Sequence, residues 1–403
     1  MMNRRIILLV FLLTLPLLSR AFDFGLVVDQ GTEYGGSGYD GSFAYSLNLS
    51  PWFSFLLDEK CDIYISAGLE TTYRDKWIFM PELLRTEFSF YPGNLEIKAG
   101  RMYHSTPLGF VARGLFDGAR VLLYSGAGTF SVGAWYTGLL YKKRADIAMT
   151  PGEKTAYAEE VYFDYLSDTY FAPRRFVWAL GWEHLSLGTE VPLQVRLSLL
   201  GQCDLTGEDE KLHSQYATAK VSLPVNMFSF DLGGCVELIQ DEGDVGTAFA
   251  AELEAAVVLP TALQSRLSLL ARYSTGGLAG DRRVVAFRPL TTETQGEILQ
   301  TELSGITTVS LDYISRLHNT FSAGLTSSYF IRNDLKTYWG YPVSSGTVDG
   351  YFLGNEFFAR LLWSPFSDIH VNLGGGMFLP SMGNADSKAD VKWRVELKLV
   401  LSL

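Results

Sequence analysis

The chain has 403 residues, of which 47% are hydrophobic and 14% aromatic, and it contains 39 glycines. Its formal net charge of −11 argues against a nucleic-acid partner, because such a partner requires a basic surface. Beyond the N-terminal segment no apolar run reaches the roughly 18 residues that mark a candidate membrane-spanning helix. Helical membrane spans are therefore not expected.

The N-terminus has the pattern of a secretory signal peptide. Arg4 and Arg5 form a basic start, Ile6–Leu18 is apolar, and residues 19–21 form a small-x-small cleavage site before Phe22. A membrane anchor is the alternative, but this apolar run of about 13 residues is short against the roughly 20 that a spanning helix needs. We predict that residues 1–21 are cleaved, which removes three of the 33 basic residues and leaves a net charge of −14.

After the cleavage site, alternation of apolar and polar residues predicts one β-strand after another. The first strand lies near Phe22–Gln30, and in the next, Tyr39–Ser50, aromatic and leucine side chains occupy every second position. Because successive side chains of a strand point to opposite faces, each such stretch has one apolar and one polar face. The same pattern marks Asp62–Arg74, Thr129–Leu140, Gln194–Gln202, Phe228–Leu238, Phe249–Leu259, Phe321–Tyr329 and Ile369–Met377. Helix-period stretches are nearly absent, which predicts an all-β protein.

The final stretch, Asp390–Leu403, shows the pattern most clearly and reads DVKWRVELKLVLSL. Every second residue from Val391 to Leu403 is apolar, and most of the residues between them are charged. A soluble β-sandwich with this face buried is the alternative for any single strand. Recurrence of strands of about ten residues with one apolar face is instead typical of a transmembrane β-barrel, whose apolar side chains face lipid.

The links between predicted strands alternate between short and long. The short links are Pro92–Asn94, Ser125–Gly128, Leu187–Val191, Pro224–Val225, Pro260–Ala262, Arg316–His318 and Ser364–Phe366, and the long ones are His104–Phe116, Tyr141–Pro173, Thr275–Ile298, Arg332–Tyr351 and Leu379–Ala389. Short turns on one side and long loops on the other are typical of outer-membrane barrels. We predict a single transmembrane, antiparallel, up-and-down β-barrel over residues 22–403, with about 18 strands (16 or 14 being possible) and its first strand paired with its last. Pro51–Lys60 is fairly long for a short-side link, and we expect a brief helix there.

No pattern of catalytic, metal-binding or cofactor-binding residues is evident. The five histidines have no zinc-ligand spacing, and no G-x-S-x-G motif is present. The three cysteines, Cys61, Cys203 and Cys235, are odd in number and far apart, which favours free thiols. We therefore expect no enzyme, no metal and no cofactor.

The inward face of the predicted barrel carries charges of both signs. The predicted lumen-lining cations are Arg74, Arg85, Arg196, Arg360, Lys392, Arg394 and Lys398. These charges either pair and fill the lumen or line water, and a barrel of about 16 to 18 strands is wide enough to hold an aqueous channel. We therefore predict a pore in the outer membrane of a diderm bacterium, passing small hydrophilic solutes. Its other partners would be outer-membrane lipid and, during biogenesis, the barrel assembly machinery. A surface adhesin or structural barrel that binds through Tyr141–Pro173 and Arg332–Tyr351 is the alternative.

One long link, His104–Phe116, differs from the others because it is neither acidic nor especially polar. An exposed apolar patch usually marks a contact, so we expect this segment to fold inward against the barrel wall. That would place a pore constriction at Arg101, Arg113, Asp117 and Arg120. Basic side chains in a narrowing favour anions. The alternative is that Arg113 pairs with Asp117 and only fixes the loop.

The surrounding stretch, Gly100–Tyr124, reads GRMYHSTPLGFVARGLFDGARVLLY, and YTGLLYKK follows at Tyr136. Its GR strand end, apolar loop and LFDGARV segment resemble large porin- and exporter-type outer-membrane barrels, such as the alginate-export and OprD-like groups. The stretch is most similar to uncharacterised barrels of spirochaete outer membranes, over roughly residues 95–150. The resemblance implies the barrel architecture rather than a particular solute. Such barrels commonly end in an aromatic residue, whereas this chain ends in Leu403.

Overall fold

The structure of the protein is a computed structural model. It describes residues 21–149, 153–154, 161, 169–187, 192–206, 212–241, 244–277, 283–334 and 350–403. The predicted signal peptide, residues 1–21, lies outside the described residues except for Ala21, and it stays a prediction. Large parts of Tyr141–Pro173 and Arg332–Tyr351, on which the adhesin alternative rests, also lie outside them.

Eighteen antiparallel strands form one closed sheet, which confirms the predicted all-β barrel and its strand number. The strands of the first half are β1 (Ala21–Ser37), β2 (Asp40–Asp58), β3 (Cys61–Tyr73), β4 (Trp77–Phe90), β5 (Leu95–Ser105), β6 (Arg113–Ser125), β7 (Gly128–Tyr136), β8 (Arg175–Leu187), β9 (Leu193–Asp204) and β10 (Leu212–Val225). Those of the second half are β11 (Phe228–Asp241), β12 (Asp244–Val258), β13 (Arg266–Ser274), β16 (Ile306–His318), β17 (Phe321–Arg332), β18 (Phe352–Phe366), β19 (Ile369–Leu379) and β20 (Lys392–Ser402). Two further strands of two residues each, β14 (Thr294–Gln295) and β15 (Thr301–Glu302), pair with one another outside the barrel sheet.

The barrel closes where β1 meets β20. Their register runs from Val27 opposite Ser402 to Ser37 opposite Lys392. The terminal residue extends this pairing, because Leu26 and Leu403 exchange two backbone hydrogen bonds of 2.9 Å. Closure is what a β-sheet needs in hydrocarbon, where an open edge would leave backbone groups without partners.

The brief helix expected within Pro51–Lys60 is wrong. Strand β2 continues through this stretch to Asp58. The reason is the length of β1, which offers backbone partners from Leu26 opposite Pro51 down to Ala21 opposite Leu56.

The two faces of the sheet have the predicted polarity. In β20, Leu397 is 46% exposed on the outside, whereas the neighbouring Arg394 is buried against the lumen side. Aromatic rings cluster at both rims of the outer face: Tyr45, Tyr73 and Trp77 at one end, and Phe22, Phe53 and Phe55 at the other. Such girdles mark the two interfaces of a membrane-embedded barrel.

The buried apolar core lies inside the barrel. Two long links fold into the lumen: residues 106–112, here called the strap, and residues 283–305, here called the inner loop. Their fully buried side chains include Leu108, Phe110, Val111, Phe287, Leu290 and Leu303. At the level of the strap and the inner loop, the lumen is therefore packed with polypeptide rather than open across its whole width.

Candidate functional site in the barrel lumen

The strap is a compact turn that holds its own shape. The Thr106 hydroxyl donates to the Leu108 carbonyl at 2.6 Å, and the Val111 N–H donates to the same carbonyl at 2.9 Å. The Thr106 N–H donates to the Ala112 carbonyl at 3.0 Å and so closes the base of the turn. These bonds satisfy backbone groups that burial would otherwise leave unpaired.

The strap crosses the lumen from β5 and β6 to the wall formed by β11 and β13. Leu108 packs on Gly233 so closely that a Cβ at Gly233 would lie 2.2 Å from its Cδ2 atom. Phe110 meets Phe287 of the inner loop edge-on, with ring centroids 6.2 Å apart. The Arg272 guanidinium of β13 lies 5.6 Å from the Phe110 ring centroid, within cation–π range. The apolar residues of this link therefore contact the opposite wall, as the sequence pattern predicted.

The inner loop is fixed to the wall by buried carboxylates. Glu356 of β18 accepts three backbone N–H groups, from Glu297 at 2.7 Å, Ile298 at 3.0 Å and Leu299 at 2.9 Å. Glu237 of β11 accepts the Arg288 N–H at 2.8 Å. These hydrogen bonds pair backbone groups of the loop with side chains of the wall, so the wall residues set the path of the loop. Sequence reasoning missed this loop; the available signal was its run of apolar residues within Thr275–Ile298.

Arg101 does not face open solvent. Its guanidinium donates to both Asp117 carboxylate oxygens at 2.8 Å, to the Leu83 carbonyl at 2.5 Å and to the Leu139 carbonyl at 2.8 Å. The residue is only 5% exposed. Asp117 thus pairs with Arg101 and not with Arg113, so the pairing considered as an alternative from the sequence is wrong.

Arg113 lies between the strap and the inner loop. Its Nε donates to the Tyr103 hydroxyl at 2.8 Å, and its guanidinium is 3.9 Å from the Glu293 carboxylate. Its backbone N–H donates to the Thr291 hydroxyl at 2.8 Å. The side chain is nevertheless 57% exposed.

Arg120 lines a cavity of about 450 Å³ on the β6–β9 wall, together with His104, Tyr124 and Arg196. Within the described part of the chain it makes no hydrogen bond or ion pair. The neighbouring cation, Lys98, is in contrast held by Glu87 and Glu96, at 3.0 Å from each. Arg120 therefore carries a positive charge that no adjacent carboxylate neutralises by contact.

Most of the other predicted lumen cations are paired. The ion pairs are Arg85–Glu87 at 2.6 Å, Arg196–Glu183 at 3.1 Å, Arg360–Asp312 at 2.5 Å and Lys398–Asp29 at 3.0 Å. Lys392 is half-buried in β20, and Arg74 lies exposed just beyond the end of β3. The lumen wall is thus a polar surface of alternating charge rather than a uniformly basic one.

Arg394 is the centre of an acidic group. Its guanidinium lies 3.2 Å from Glu396, 3.5 Å from Glu297 and 3.9 Å from Glu33. Glu33 and Glu396 are also register partners in β1 and β20. Like charges in directly opposite positions repel, and Arg394 offsets that repulsion. A cavity of about 320 Å³ opens beside them and is also lined by Arg74.

A closed 18-strand barrel with an apolar outer belt, a charged lumen and segments folded inward has the architecture of an outer-membrane porin. This fold places the protein in the outer membrane of a diderm bacterium. No family model matches the sequence, and no curated protein matches it either.

Solved structures of Pseudomonas aeruginosa porins share the fold. OccK3 (OpdO) superposes with a TM-score of 0.59 at 11% identity, over 94% of this chain and 96% of that one. OccK2 (OpdF), solved in complex with glucuronate, gives 0.60 at 12% identity, over 96% and 99%. OprD gives 0.57 at 13% identity, over 96% of each chain. At these identities the likeness defines the fold and not the solute.

Proposed function

We propose that the protein is a pore that passes small hydrophilic solutes by diffusion and favours anions. The observation that carries the proposal is the strap, which crosses the lumen and holds Arg113 at its edge. Burial of the apolar side chains of Leu108 and Phe110 anchors the strap, so the strap does not depend on an ion pair of Arg113 to stay in place.

Two cations support the anion preference, namely Arg113 and Arg120. Arg120 lines the cavity of the β6–β9 wall with no carboxylate in contact among the described residues, and the Arg113 side chain is 57% exposed with the Glu293 carboxylate 3.9 Å away. The acidic group around Arg394 opposes this preference, so we expect a moderate rather than a strict selectivity. A structural neighbour, OccK2, has been solved with glucuronate, which is itself an anion.

The test is the reversal potential of the purified protein in a planar bilayer under a salt gradient. The double variant Arg113→Ala/Arg120→Ala should shift the potential towards cations. Lys60→Ala/Arg316→Ala is the matched control, because it removes the same charge near turns on the short-link side. Equal potentials in the two double variants would contradict the assignment of these arginines.

The solute class is tested separately by liposome swelling with sugars, amino acids and organic anions. Swelling with small neutral sugars would support a general pore, and faster swelling with anions of equal size would support the preference. A protein that neither conducts nor permits swelling would contradict the pore itself.

A further inference from the structure

The barrel wall has an incomplete seam between β4 and β5. Pairing of these strands is confined to Thr86–Phe90 opposite Ile97–Arg101. Strand β4 begins nine residues earlier, at Trp77, and β5 continues to Ser105. These extensions pair with β3 and β6 respectively, but not with each other. We call this gap, between residues 77–85 of β4 and residues 102–105 of β5, the seam.

Local geometry explains why the two strands part. Gly100 has a φ of +115° and approaches the Thr86 carbonyl so closely that a Cβ would lie 1.8 Å from that oxygen. In β4 the register with β3 shifts between Ser66 and Ala67, which indicates a bulge. Pro81, in the part of β4 that has no partner in β5, has no N–H to donate, and proline in a strand is typical of an edge.

Side chains, not a backbone ladder, close the seam. Arg101 reaches across it to the Leu83 carbonyl at 2.5 Å, and the Tyr170 hydroxyl donates to the Pro81 carbonyl at 3.0 Å. Arg144 donates to Glu82 at 2.9 Å. Tyr170 and Arg144 belong to an extension of β7 and β8, residues 137–145 and 169–174, here called the cover hairpin.

The cover hairpin meets β4 through the side chains of Tyr170 and Arg144. Its own two arms are joined by backbone hydrogen bonds of 2.9 Å, from Lys142 to Tyr170 and from Ala172 to Leu140. Arg101 also donates to the Leu139 carbonyl at 2.8 Å and so ties this hairpin to β5. Breaking a few side-chain bonds would therefore open the seam without disrupting a ladder between strands.

The two sides of the seam differ in polarity. Outside it, Phe79, Leu83 and Leu139 are exposed towards the apolar surroundings of the barrel. Inside it lies a cavity of about 220 Å³ whose lining joins the apolar Ile78 and Met80 to the charged Glu70, Lys143 and Arg144. An apolar lining beside a charged one is complementary to a molecule with an apolar chain and a polar head.

We propose that the seam is a lateral gate, latched by Arg101, that admits a single-chain amphiphile between the lumen and the surrounding lipid. This activity is independent of diffusion through the pore. An apolar chain would enter between β4 and β5 beside Leu83, and its head group would reach the charged lining of the inner cavity. Release of the Arg101 bonds to Leu83 and Leu139 is the opening step.

The experiment measures whether apolar chains reach the lumen side of the seam. A bimane fluorophore is attached at Ile78→Cys, in a background with the three native cysteines replaced, and the protein is placed in lipid nanodiscs. Dibromostearate is added as the amphiphile, since its bromine atoms quench bimane on contact. The matched control is Ser310→Cys, on the lumen side of β16, which pairs with both neighbouring strands.

We expect quenching at position 78 to be at least twofold that at position 310, and to rise further in Arg101→Met. Equal quenching at the two positions would overturn the proposal. Quenching at position 78 that Arg101→Met leaves unchanged would also overturn it, because the amphiphile would then arrive through the lumen. If Arg101→Met lacks the altered gel mobility of an unheated folded barrel, the comparison of positions 78 and 310 in the parent protein decides.

Discussion

The contact between the strap and the barrel wall can be tested with two adjacent glycines of β11. Gly233 faces the lumen beneath Leu108, whereas a Cβ at Gly234 would meet no atom within 4 Å. Gly233→Val therefore drives a branched side chain into Leu108, and Gly234→Val adds the same atoms on the outer face. Both changes raise strand propensity alike. The difference in conductance and stability between the two variants therefore reports on the strap contact alone.

The magnitude follows from packing. Overpacking a filled site costs about 1–3 kcal/mol. Each fully buried side chain among Leu108, Phe110 and Val111 contributes about 1.5–3 kcal/mol to anchoring the strap. The clash is smaller than the sum of these contributions, so Gly233→Val should shift the strap rather than expel it. Deleting Thr106–Val111 removes the strap altogether and should have the larger effect.

Single-channel conductance in planar bilayers, together with the urea midpoint of unfolding, measures both effects. We expect conductance to rise modestly in Gly233→Val and strongly in the Thr106–Val111 deletion, with Gly234→Val at the parent level. The urea midpoint should fall only for Gly233→Val among the two valine variants. If Gly233→Val and Gly234→Val gave the same conductance and midpoint, the inference that the strap rests on β11 would be refuted.

Four further predictions concern the faces, the inner loop, the cover hairpin and the barrel. Leu397→Arg on the lipid face should destabilise by about 2–4 kcal/mol near the bilayer midplane, and Lys398→Leu on the lumen face by much less; equal losses of assembly would contradict the face assignment. Glu356→Gln should speed hydrogen exchange at the amides of residues 297–299, whereas Glu254→Gln, which removes a carboxylate paired only with a wall arginine, should not. Burial raises the pKa of Tyr141 to about 12, so its contribution to the free energy of unfolding should be full below pH about 10 and should fall by roughly 2–3 kcal/mol as the pH rises towards 12. Burial also raises the pKa of Tyr170, so Tyr141→Phe should reduce the alkaline loss of stability in urea titrations by that amount without abolishing it. The purified protein should be strand-rich by circular dichroism and migrate differently on gels when unheated, and a helix-dominated spectrum would contradict the fold.

Period-two alternation was enough to predict the barrel, because each strand must satisfy lipid on one face and polar surroundings on the other. The apolar residues of His104–Phe116 likewise predicted inward folding, because exposure of Leu108 and Phe110 to water would be unfavourable. Neither prediction required knowledge of which residues would be in contact in the folded protein. Both rest on the local sequence alone.

Contacts between distant parts of the chain could not be predicted in this way. Glu356 looked like any lumen carboxylate, yet it holds the backbone of residues 297–299, almost sixty positions away. The partner of Asp117 was also undetermined, because the β5–β6 register decides it and places Arg101 directly opposite. Register depends on turn geometry and on the packing of the whole wall, which alternation leaves open.

The arginines of the predicted constriction show why residue type alone does not define a pore site. Arg101 donates four hydrogen bonds, two to Asp117 and one each to the Leu83 and Leu139 carbonyls, so its charge is paired and it holds neighbouring parts of the wall together. Arg113 donates to a neutral tyrosine hydroxyl and lies 3.9 Å from the Glu293 carboxylate, and Arg120 has no hydrogen-bond or ion-pair partner among the described residues. The proposed anion preference therefore rests on Arg113 and Arg120 and not on Arg101. Substituting Arg101 should weaken the wall, whereas substituting the other two should change selectivity.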